Sequence, residues 1–296
     1  MKSKASARVN ALIGREQEIA KIRSCLRAGK NVLLEGPVGV GKTFLAIESI
    51  RELGRPSFRV DGDNRYSEQK LTGWFDPPLA IKKGFHKDAF IPGPLVEAMK
   101  AGGVLFINEL NRLPEGVQNV LLPAIDERIV SVPRLGEITA KPGFLVIATQ
   151  NPKEFVATSH LSEAILDRFE LIVLNYQSEK DEQGIVTGAV VRSKMSFKPG
   201  IQQKLVEAAV SLIRLTRSHP RVRRGASIRA ALSVADIAAV LMQDGLVFES
   251  AFLSAALMAL PTRIEIEREA DAENTMHEEL EELVHEWVAV VLKKKT

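Results

Sequence analysis

Eight consecutive residues, Gly36, Pro37, Val38, Gly39, Val40, Gly41, Lys42 and Thr43, match the phosphate-binding loop pattern in full. Its glycines let successive backbone N–H groups face a phosphate. A helix starting at Lys42 adds the positive end of its dipole. At this spacing Lys42 reaches the β- and γ-phosphates of a nucleotide, and Thr43 offers its hydroxyl to Mg2+. Further along, the apolar run Val104–Ile107 ends in Asn108 and Glu109. Residues at the carboxyl end of a parallel strand face the ligand. Magnesium-dependent hydrolysis commonly places Asp then Glu there, so Asn108 is a departure. Its amide oxygen can accept a hydrogen bond from a magnesium-bound water but brings no charge, so weaker Mg2+ binding is expected. Glu109 is the candidate base for the attacking water.

Three more residues extend this constellation. Phe144–Thr149 is a second apolar run, followed by Gln150, Asn151 and Pro152. Asn151 can hydrogen-bond a γ-phosphate or a water, although Asn-Pro also simply begins a turn. Arg168, in Leu166-Asp167-Arg168-Phe169, either serves a neighbouring subunit's nucleotide or pairs with Asp167 at the surface. Ser227 suits a helix N-cap, and Arg229 just inside that helix start is badly placed for the dipole. A phosphate contact gives that cation another reason to be there.

The elements that must position these groups follow from hydrophobic periodicity. Candidate strands are Asn31–Glu35, Ser57–Asp61, Val104–Ile107, Phe144–Thr149 and Phe169–Asn175. Most are unbroken apolar runs, the pattern of strands buried on both faces of a parallel sheet. Helical patterns lie between them, which predicts a doubly wound α/β domain over residues 1–176. Two segments exceed a minimal sheet: Leu71–Pro94, rich in Gly, Pro and aromatics, and Arg128–Thr139, two β-prone runs around a turn. The aromatics Trp74, Phe75, Phe85 and Phe90 either belong to a loop that faces a partner or a pore, or pack an inserted helix onto the core. From residue 177 to 296 helical periodicity takes over: Glu179–Lys194, Ile201–Ser218, Ser227–Met242, Ser250–Leu260 and Met276–Lys293. That predicts a small, all-helical second domain.

The composition is that of an ordinary globular chain: 296 residues, 45% hydrophobic and 26% charged. A net charge of +3 is too small to argue for nucleic acid. The local basic cluster between Arg214 and Arg229 is the sole support for that reading, and the acidic run from Glu265 to Glu286 reads as a solvated helix face. The single cysteine, Cys25, is expected to be a small buried hydrophobe. With no secretory signal and no apolar run of membrane-spanning length, a reducing cytoplasm is expected.

Taken together, the motifs resemble the AAA+ ATPases of the MoxR type, of the helix-two-insert clade. The resemblance rests on Ile13–Ile19 (IGREQEI), GPVGVGKT, Ile91–Leu95 (IPGPL), Asn108–Val130, Ala148–Pro152 (ATQNP), Leu166–Phe169 (LDRF) and Gly225–Ala230 (GASIRA). It implies an AAA+ core with a helical lid, the insert within Leu71–Pro94, and a pre-sensor hairpin at Arg128–Thr139. It further implies that Asn151 is sensor one, Arg168 the arginine finger and Arg229 sensor two. The implied cofactors are ATP and Mg2+, and the implied assembly is a hexamer. The implied role is chaperone-like remodelling or metal and cofactor loading of a client protein, often with a partner carrying a von Willebrand factor A domain. Asn108 leaves a second reading open: a nucleotide-switched scaffold with low turnover. A nucleic-acid motor and a small-molecule kinase are weaker alternatives.

Overall fold

The computed structural model describes residues 13–151, 161–192, 200–267 and 275–293. Pro152 of the ATQNP motif lies outside them. The chain parts into two compact units, residues 15–176 and residues 177–296, and residues 13 and 14 group with the second.

The first unit is a five-stranded parallel sheet with helices between the strands. Its strands are β1 (Val32–Glu35), β2 (Ser57–Asp61), β5 (Val104–Asn108), β8 (Leu145–Gln150) and β9 (Glu170–Val173), in the order β2-β5-β8-β1-β9. Successive residues of the three central strands point to opposite faces. Leu33, Leu105, Ile107, Val146 and Ala148 join one core, while Val32, Leu34, Phe106 and Ile147 are buried outside it. Double burial explains why these strands read as unbroken apolar runs. The outer strands differ: in β2 only Val60 is buried, and in β9 only Ile172, so both are edges.

Helix α1 (Glu16–Arg27) lies against β1 and β9, and α2 (Lys42–Leu53) against β1, β5 and β8. Cys25 on α1 is half-buried, less enclosed than expected. The segment between β2 and β5 forms α3 (Glu68–Thr72), then β3 (Gly73–Phe75) paired antiparallel with β4 (Phe90–Pro92), with α4 (Pro77–Lys83) between those two strands. Asp76 caps α4 by accepting from the Leu79 N–H at 2.9 Å. Phe75 packs edge-on to Phe85 and Phe90 at 5.2 and 5.4 Å. Trp74 and Phe85 stay about half-exposed and Ile81 is 86% exposed, so the segment both packs and presents apolar surface. Helices α5 (Pro94–Ala101) and α6 (Glu115–Asp126) share the core with the hairpin β6 (Ile129–Val132) and β7 (Gly136–Thr139). The short helix α7 (Glu163–Leu166), capped by Ser162, leads into β9.

The second unit packs α8 (Glu179–Arg192), α9 (Ile201–Ser218), α10 (Ile228–Gln243), α11 (Phe248–Ala259) and α12 (Met276–Lys293) around one core. Small residues on α10 and α11, among them Ala231, Ala235, Ala255 and Ala256, are fully buried, which lets the two helices approach closely. The unit is not all-helical as the periodicity predicts: among the described residues a short antiparallel pair, β10 (Val222–Arg224) with β11 (Glu265–Ile266), lies alongside the helices. Arg223 and Arg224 lie 3.5 and 3.7 Å from Glu265 across it. Strands this short and this charged carry no alternation to read. No helix among the described residues is long and apolar enough to cross a membrane.

Candidate functional site

The glycine-rich loop joins β1 to α2. Gly41 stands at the N-cap of α2 with φ 95°, in the left-handed region that glycine enters at no cost. The Lys42 ammonium turns back over the loop and donates to the Gly36 and Pro37 carbonyls at 2.6 and 2.8 Å. Those contacts hold a long flexible side chain above the loop, where an arriving phosphate can exchange for them. Arg15 braces the loop by donating to the Val40 carbonyl at 3.1 Å and to Asn175 at 2.6 Å.

At the end of β5 the side chains form a connected network. The Thr43 hydroxyl donates to Asn108 Oδ1 at 2.8 Å. Thr149 on β8 accepts the Glu109 N–H at 2.9 Å and lies 3.1 Å from the same Asn108 oxygen. Asn108 Nδ2 donates to Asp61 Oδ1 at 3.1 Å. Asp61 ends β2, directly opposite Asn108 in the parallel register. Hydrogen bonds from Arg59, at 2.8 and 2.6 Å, hold the Asp61 carboxyl below the usual carboxylate range, with help from Asn108 and against the effect of burial. Gly62 makes this approach possible: a Cβ there would lie 2.0 Å from the Glu109 carbonyl oxygen. Its own N–H donates to the Asn108 carbonyl at 2.7 Å.

Glu109 follows in the left-handed region, φ 59° and ψ 56°. Its carboxylate accepts from Arg112 at 2.8 Å. Asn151, one residue past β8, is buried, and its backbone carbonyl accepts from Asn111 at 3.2 Å. Gly36 to Thr43, Asn108, Glu109 and Asn151 therefore all lie at the carboxyl ends of β1, β5 and β8. The adjacent oxygens of Thr43 and Asn108, 2.8 Å apart, are hard donors of the kind Mg2+ prefers.

Arg168 is elsewhere in this unit. It forms an ion pair with Asp126 at the end of α6, 2.6 Å apart, and also donates to the Ala164 carbonyl. Asp126, not Asp167, is its partner in the structure; bonding to that carboxylate raises the guanidinium's already high pKa. Arg229 belongs to the second unit, as an exposed second residue of α10. Ser227 stands at the N-cap of that helix but makes no side-chain cap bond. The arginine cluster is largely paired within its own unit. Arg214 and Arg217 bind the buried Glu182, Arg221 binds Glu279, and Arg223 and Arg224 face Glu265.

Asp61, with its partner Arg59, belongs to the network without being marked by any motif. The available signal was positional: it is the last residue of a predicted parallel strand, where ligand-facing groups collect.

A loop of this geometry, on the order of strands seen here, defines a P-loop nucleotide-binding protein. More narrowly, the chain belongs to the AAA+ ATPase family: residues 31–169 match the AAA domain of the dynein-related subfamily. An uncharacterised protein of Staphylococcus saprophyticus is 30% identical over 222 residues, covering 74% of this chain and 82% of that one. One from Staphylococcus epidermidis is 32% identical, with the same coverage of 74% and 82%. Among solved structures, a RuvB mutant of Thermotoga maritima superposes with a TM-score of 0.53 at 20% identity, over 80% of this chain and 66% of that one. That likeness speaks for the fold.

Proposed function

We propose that this protein is a Mg2+-dependent ATPase of the MoxR type, working in a ring to remodel or mature a partner protein. The observation that carries the reading is the joint placement of Lys42, Thr43, Asn108, Glu109 and Asn151 at the carboxyl ends of the central strands. Lys42 and the loop amides bind the phosphates. Thr43 would hold Mg2+ directly and Asn108 through a water, and the ion would neutralise phosphate charge. Glu109 accepts a proton from the attacking water, and Asn151 orients that water or the γ-phosphate. Arg168 is supplied to the next subunit, and Arg229 reads the γ-phosphate from the helical unit; both roles rest on the MoxR resemblance. Ring assembly is common among AAA+ proteins. A hexamer, a client and a von Willebrand factor A partner are proposals of the same resemblance.

The test is steady-state ATP hydrolysis per subunit across a wide range of protein concentration, for the wild type and Arg168→Ala. A shared site gives a rate per subunit that climbs with concentration. It also gives an Arg168→Ala rate lower by roughly 10³–10⁵, the usual worth of such a finger. A rate unchanged by Arg168→Ala sinks the shared-site reading. Asn108 favours one second reading, a nucleotide-switched scaffold of low turnover. Nucleotide binding with negligible hydrolysis at every concentration would support it against the motor.

A further inference from the structure

An aspartate at position 108 would present an acceptor oxygen whichever way it turned. An asparagine has an acceptor side and a donor side. At the end of β5 the Thr43 and Thr149 hydroxyls lie 2.8 and 3.1 Å from Oδ1. A flipped amide would aim its NH2 at Thr43 and at any cation held there, and electrostatics oppose that. What forbids the flip is on the neighbouring strand. Asp61 is an ionised, acceptor-only group 3.1 Å from Nδ2. A flipped amide would set its own oxygen against that carboxylate.

Resting on the nucleotide-site reading above, we infer that Asp61 is a positioning residue that locks Asn108 with its carbonyl oxygen towards Thr43. It thereby lets an asparagine serve where an aspartate is usual. The chain Asp61 carboxylate, Asn108 amide, Thr43 hydroxyl also polarises the amide oxygen, because successive hydrogen bonds reinforce one another. With its hydrogen given to Asn108, the Thr43 oxygen keeps its lone pairs for a metal. The parallel register Asp61 to Asn108 and the close approach at Gly62 place the two side chains for this purpose. A plainer role is open to Asp61, as the partner of Arg59 at a strand end. The experiment separates the two.

A fluorescent ATP analogue is bound to the full-length protein in EDTA, and Mg2+ is then titrated in. Asp61→Ala is expected to leave the EDTA affinity unchanged and to raise the half-saturating Mg2+ concentration by about tenfold or more, as the loss of an outer partner of a metal ligand does. Arg59→Ala, which removes the ion pair with Asp61 and the guanidinium's contact over the Phe106 ring but leaves the Asp61–Asn108 hydrogen bond, is expected to match the wild type. Asp61→Ala combined with Asn108→Asp is expected to recover tight Mg2+ dependence, since a carboxylate at 108 needs no fixed orientation. An Asp61→Ala protein with wild-type Mg2+ dependence overturns the inference. So does an equal shift in Arg59→Ala, or a double variant no better than Asp61→Ala. A wild type that binds no nucleotide under either condition overturns the site reading itself, and this inference falls with it.

Discussion

The network around Asn108 rests on single atoms, and its predictions are correspondingly specific. Glu109→Gln keeps the shape of the side chain and removes the base. Hydrolysis should fall by on the order of 10²–10⁴, the usual contribution of a positioned proton acceptor, while binding of the fluorescent ATP analogue stays at the wild-type level. An equal loss in binding would mean that Glu109 shapes the site instead of acting in it. Most of this site was legible in the chain as written, because the loop spacing and the polar residues after Ile107 and Thr149 are local patterns. Asp61 was not legible. Its partnership with Asn108 spans 47 residues and depends on β2 lying beside β5, a non-local fact of strand order. The partner of Arg168 is non-local in the same way: Asp167 is next in the chain, but Asp126 is next in space.

At the scale of elements, burial decides what could be read. The central strands β1, β5 and β8 announce themselves because both faces are covered. The Arg128–Thr139 hairpin was readable from two β-prone runs about a turn. Within the Leu71–Pro94 segment, β3 and β4 have three residues each, too few for any periodicity to emerge. The junction of β2 with β5 is the most tightly constrained element contact near the site. Gly62→Ala sets a methyl 2.0 Å from the Glu109 carbonyl oxygen, so one strand end must move. A loss of about 1–3 kcal/mol is expected from such overpacking, together with loss of hydrolysis; a denaturation midpoint equal to the wild type's would contradict this. In the second unit, Glu182 is 2% exposed between Arg214 and Arg217. Glu182→Ala leaves a mostly buried guanidinium without its carboxylate, and breaking such a pair costs roughly 3–5 kcal/mol. Urea unfolding of the variant measures it, and a change below the error of the fit would show the pair to be neutral.

At the scale of the whole molecule, two surfaces bear on assembly. The segment between β2 and β5 exposes Trp74, Ile81 and Phe85, and Arg134 from the hairpin tip stacks on Phe85, 3.7 Å from its ring centre. Meanwhile the cluster from Arg214 to Arg224 is paired within its own unit: Arg214 and Arg217 with Glu182, Arg221 with Glu279, and Arg223 and Arg224 with Glu265. The molecule's total stability also carries a mark of its chemistry. Glu109 holds a left-handed backbone, which costs a side chain of this kind on the order of 1–3 kcal/mol. Asparagine tolerates that conformation better. Glu109→Asn should therefore unfold at higher urea than the wild type while hydrolysis falls as far as in Glu109→Gln. Natural selection at this position would then be a compromise: a sturdier fold is one substitution away, and the chain forgoes it to keep a carboxylate at the turn.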